Sequence, residues 1–101
     1  MWRQGDVFIA SVPTIPDAAR RSPLPHGILV HGEVTGHSHR VDDLKTASLF
    51  AGRGGELFLD VSATGTRIVH QEHGTIELGQ GCYRVWRQRE YTPEAIVPVR
   101  D

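Results

Sequence analysis

Short apolar runs alternate with glycine and proline breaks along the whole chain, and none of the runs is long enough for a helix of several turns. Residues 6–12 (DVFIASV) are rich in β-branched and aromatic side chains and are closed by Pro13, the signature of a strand. The same signature recurs at 28–34, 46–51, 66–72, 75–78 and 82–90. Residues 56–62 (ELFLDVS) are nearly continuous in apolar character, the pattern of a central strand. Residues 95–100 read as an edge strand, because Pro98 cannot donate to a ladder. About eight short strands joined by glycine turns predict an all-β fold, a single small β-barrel or sandwich over residues 1–101.

One stretch departs from this rhythm. Residues 13–27 hold four prolines and read as a long loop with room for one helical turn at 17–21. A loop of that length is expected to be a lid or a mobile segment.

Composition narrows the function classes. The net charge is −1 with histidine neutral, so no global field draws the chain to nucleic acid or an anionic membrane. One cysteine, Cys82, excludes an internal disulfide framework and a thiolate zinc cluster. It is expected to be a buried small hydrophobe. No stretch approaches the length of a membrane span, and the N-terminal residues lack the pattern of a secretory signal, so a cytoplasmic location is the expectation.

The chemistry lies in histidine spacing. Side chains two apart on a strand share a face about 7 Å apart. His37 and His39 have that spacing, and so do His70 and Glu72. Brought together, they would offer imidazole and carboxylate to a divalent Zn, Fe, Ni or Mn ion. His73 falls on the opposite face of an ideal strand, but a turn at His73-Gly74 could rotate it back to compete with Glu72. Strand parity leaves two alternatives for the first pair. If Ile28, Val30 and Val34 form the core face, His37 and His39 face solvent on the other side. A bulge at Gly36 would turn both inward.

The stretch GEVTGHSHRVDD resembles the first motif of the cupins, with His37 and His39 as its H-x-H pair and Asp43 where an acid follows. Gly32 lies one residue closer to the pair than is usual, and the second cupin motif is not recognisable. The resemblance implies a small metal-binding barrel acting as a small-molecule dioxygenase, isomerase or metabolite sensor. It leaves the catalytic residues unassigned.

Two other readings stand beside the metal site. Paired histidines near Arg40 or Lys45 could perform metal-free acid–base chemistry. Separately, residues 83–91 (YRVWRQREY) interleave aromatics and arginines, as in surfaces that bind proteins or single strands. Arg84, Trp86, Arg87 and Arg89 would carry that binding, although the net charge disfavours nucleic acid. On this reading Arg84 and Trp86 share one face, while Tyr83, Val85, Arg87 and Arg89 share the other. An exposed Trp2 would suggest a homodimer contact.

Overall fold

The structure is a computed structural model that describes residues 1–31, 36–87, 89–91 and 96–98, the side chains of 31, 89–91 and 96–98 excepted. It is all-β. The strands are β1 (Trp2–Gln4), β2 (Val7–Val12), β3 (Pro23–Leu24), β4 (Ile28–His31), β5 (Ser38–Val41), β6 (Ala47–Ala51), β7 (Leu57–Val61), β8 (Thr66–Val69), β9 (Ile76–Leu78), β10 (Gly81–Arg87), β11 (Arg89–Tyr91) and β12 (Ile96–Pro98). One helical turn, α1 (Asp17–Arg20), precedes β3.

These strands form a six-stranded antiparallel sheet in the order β1-β2-β10-β7-β6-β3 and a four-stranded one in the order β4-β5-β8-β9, with β11 and β12 as a separate pair. The expected barrel does not close; the two larger sheets enclose one core. Val7, Ile9, Leu49, Leu59 and Val85 enter it from the larger sheet, and Leu29, Val41, Ile68 and Leu78 from the smaller. Alternation does this work. In β9, Ile76 and Leu78 turn inward while Glu77 is exposed, and β8 repeats the pattern with Thr66, Arg67 and Ile68.

β7 is apolar on both sides because both are covered. Leu59 and Val61 face the main core, whereas Phe58 joins Ile15 and Ala19 in a second cluster on the outer side of the sheet. Residues 13–27 are therefore not the free lid that their prolines suggested. Ile15 and Ala19 are 2% and 3% exposed, and β3 pairs with β6. Cys82 is half-buried against this second cluster.

Thr66 ties the sheets together at one end. Thr46 donates its only hydroxyl proton to the Asp43 carbonyl at 2.6 Å, so Thr66 must be the donor in the 2.7 Å bond between the two hydroxyls. Thr66→Val should cost about 1 kcal/mol, since Thr46 keeps its own acceptor and no new orphan is buried. Urea denaturation would read this as a lower midpoint with an unchanged slope.

The histidine-bearing segment is folded differently from the straight strand that its parity implied. The chain reverses between His31 and Ser38, which are cross-strand partners in the β4–β5 hairpin. The bulge falls at Leu29, where the register shifts between Ile28 and Val30, and Leu29 is the residue buried in the core. Gly36, with φ 75°, lies in the connection and not in a strand. His39 consequently points inward with Val41 and is fully buried. The solvent-facing reading of His39 is thus overturned. Residues 32–35, including Gly32, Glu33 and Val34, lie outside the described residues.

Candidate functional site

Four imidazoles gather at one end of the core. The centroid of His70 lies 4.2 Å from that of His39, 4.5 Å from that of His73 and 5.5 Å from that of His37. His39 and His73 are 5.8 Å apart and nearly parallel. The β5 strand supplies His39, the residue just before it region supplies His37, and the β8–β9 connection supplies His70 and His73. The bend at residues 71–73 carries His73 to the same side as His70, as the turn reading required. Glu72 is exposed and sits 3.1 Å from His37 Nδ1 through Oε1.

Two residues on either side of Gly5, Gln4 at the end of β1 and Asp6 in the turn to β2, complete the cluster, and the sequence reading did not assign either of them. Gln4 and Asp6 are 2% and 1% exposed. Gln4 donates from Nε2 to the carbonyls of Ile68 (3.0 Å) and Gly74 (2.8 Å), which fixes its amide orientation. Its Oε1 is left to accept from His39 Nδ1 at 2.8 Å. That bond assigns the proton of a neutral His39 to Nδ1 and leaves a lone pair on Nε2.

His39 Nε2 lies 3.6 Å from Asp6 Oδ1, and both side chains are 0% exposed. The other carboxylate oxygen, Oδ2, accepts a hydrogen bond from Arg87 Nε. Arg87 therefore points inward, on the same face as Tyr83 and Val85, as alternation predicted.

Gly5, between Gln4 and Asp6, brings the turn against the cluster. Its φ is +58°, and a Cβ placed there would stand 2.7 Å from His73 Nε2.

The geometry has a direct chemical meaning. Two ligand atoms each about 2.1 Å from one ion, at an angle of roughly 110–120°, are separated by about 3.4–3.6 Å. The His39–Asp6 separation is of that size, too long for a good hydrogen bond and suited to a shared cation. An imidazole bound through one nitrogen holds its centroid about 3.2 Å from the metal, so tetrahedral neighbours sit roughly 5 Å apart. The four centroid distances bracket that value.

The cluster is not a closed ligand shell. Among the described residues, no three His, Cys, Asp or Glu side chains are arranged to hold an ion. One reason is visible at His70, whose Nδ1 accepts the backbone N–H of Glu72 at 3.0 Å. A neutral His70 then carries its proton on Nε2, and must release one of these two arrangements before it can ligate.

The other predicted residues fall elsewhere. Asp43 is exposed and accepts the backbone N–H of Lys45 at 2.9 Å, closing a turn away from the H-x-H pair. Lys45 and Arg40 are exposed. In the aromatic–arginine stretch, Tyr83 and Val85 are buried in the core and Arg87 is held on Asp6. Only Arg84 and Trp86 remain on the outer face, and the Arg89 side chain lies outside the described residues. Trp2 is half-buried and packs edge-on against Tyr83, with centroids 5.6 Å apart.

No helix among the described residues is long and apolar enough to cross a membrane. Residues 3–88 match the family described as a domain of unknown function, DUF8820, and the chain belongs to that family. No curated protein and no solved structure matches the chain. Nothing in these comparisons ties it to the cupins.

Proposed function

We propose that this chain binds one divalent transition metal at the end of its core, with His39 Nε2 and Asp6 Oδ1 as the first two ligands. The observation that carries this reading is their 3.6 Å separation in full burial. Each is held from behind: Gln4 accepts from the other ring nitrogen, and Arg87 occupies the other carboxylate oxygen. Metal-ligating histidines are held in the same way by outer partners that fix the tautomer.

His70 and His73 supply the next imidazoles, and His37 with Glu72 stands at the more exposed rim. Any two of the three imidazoles of His39, His70 and His73, with the Asp6 carboxylate, would form the set that iron(II) takes with open positions, so Fe²⁺ is the first candidate and Zn²⁺, Ni²⁺ and Mn²⁺ the others. Open positions would admit a water or a small molecule and polarise it. The dioxygenase, isomerase and sensor roles implied by the cupin-like stretch all need that feature and are not separated by it.

Elemental analysis of untagged protein, purified without chelator and after anaerobic addition of each metal, tests the reading. About one equivalent is expected. Asp6→Asn, which keeps the shape and removes the ligating charge, should weaken retention by more than the roughly 10- to 100-fold that loss of a ligand's outer partner costs. His37→Ala/His39→Ala should lose the metal. Wild-type protein that neither carries nor takes up any of the four ions would end the proposal.

A further inference from the structure

The outer face of the six-stranded sheet is covered by α1 over Phe58, but at the Trp86 end it carries a different arrangement. Phe8 and Trp86 are cross-strand partners whose rings stack at 5.7 Å. The guanidinium carbon of Arg84 lies 4.7 Å from the Trp86 centroid. Its Nε donates to Glu56 Oε2 at 2.5 Å. Arg84 is therefore held at two points, its plane by the indole and its Nε by the carboxylate. What remains is the pair of terminal amino groups, the fork that recognises phosphate.

Arg84 borders an open cavity of about 360 Å³ that Arg53 also lines. Arg53 is exposed and makes no ion pair among the described residues. The floor is the glycine pair that follows it. Gly54 has φ 74° and ψ 19°, directly after a helical residue, which is the backbone sequence that turns successive N–H groups toward an anion. A Cβ at either Gly54 or Gly55 would meet nothing within 4 Å, so the space above them is open. Arg87 closes the cavity on the side of the buried carboxylate. The cavity is thus bordered by two guanidinium groups of the outer face, those of Arg53 and Arg84, with Glu56 as the bordering acid, while the guanidinium of Arg87 is held on Asp6.

We infer that this cavity is a binding site for a phosphate monoester, gripped by Arg53 and the preset fork of Arg84, with Trp86 as the wall for the rest of the ligand. The site does not depend on metal at the imidazole cluster, and the test uses no residue of that cluster.

Isothermal titration of the full chain at low ionic strength, with adenosine monophosphate and with inorganic phosphate as separate probes, decides it. One-to-one saturable binding is expected. Arg53→Ala should weaken it about tenfold, and Arg84→Lys, which keeps a charge but loses the fork, by a similar factor. Arg67→Ala, an arginine of the opposite sheet, should leave it unchanged with the circular dichroism spectrum. Tighter binding of the nucleotide places its ring against Trp86, while equal affinities assign recognition to the phosphate alone; both support the site. Absence of saturable binding by either probe, or equal weakening by Arg67→Ala, overturns it.

Discussion

Arg87→Met is expected to destabilise the fold by about 3–5 kcal/mol, a large part of the stability of a domain this size. The reason is what it leaves behind. Asp6 is 0% exposed in its side chain, and Arg87 is the cation bonded to its Oδ2. Removing the guanidinium abandons a carboxylate in the core, leaving it, among the described residues, the more distant contact to His39. Removing both charges is a different experiment. Asp6→Asn/Arg87→Met should recover most of the loss, because an apolar side chain of similar length then faces a neutral amide. Urea denaturation of the wild type, the two single variants and the double variant closes the cycle. A single-variant cost under about 1 kcal/mol would mean that water reaches the carboxylate and that the pair behaves as a surface bridge.

The metal reading sharpens this expectation. A divalent ion beside Asp6 Oδ1 supplies the positive charge that Arg87→Met removes, so saturating metal should stabilise that variant more than the wild type. An equal shift in both proteins would place the ion away from Asp6.

Strands were legible where one face is apolar and the run is long enough to show it. The stretch at 82–90 put Tyr83, Val85 and Arg87 on one face, and all three do turn inward in β10. That parity grouped Arg87 with Tyr83 and Val85 but did not say which face is buried, and it could not name Asp6, 81 residues away, as the acid that receives the guanidinium. Gln4 and His39 are likewise 35 residues apart. Local spacing exposes a pair such as His37 and His39, whereas the partners that orient it come from tertiary pairing.

Short edges were hidden for another reason. Two or three residues, as in β3 or β1, are too few to display a period. The hairpin reversal between β4 and β5 was masked because alternation read across a turn looks like one continuous strand. The proline-rich loop misled through its composition. Its anchors, Ile15 and Ala19, form no periodic apolar run, and they are buried together with Phe58 of β7.

The tightest approach at the site predicts the second large effect. Gly5→Ala should cost about 2–4 kcal/mol, combining a left-handed backbone penalty of roughly 1–2 kcal/mol with the displacement of His73. The two contributions separate by a double-mutant cycle. The φ of +58° belongs to the turn and remains whatever occupies position 73. The 2.7 Å approach to His73 Nε2 disappears with the ring, so His73→Ala should relieve about 1–2 kcal/mol of the Gly5→Ala cost. Strict additivity would show instead that His73 swings aside without resistance, and a ring so loosely held would make a poor metal ligand. Coupling between the two positions, accompanied by weaker metal retention in Gly5→Ala, would tie the β1–β2 turn to the imidazole cluster as its backbone wall. Glycine at position 5 then serves two ends: it permits the turn that aims Gln4 and Asp6 at His39, and it leaves space for the ring of His73.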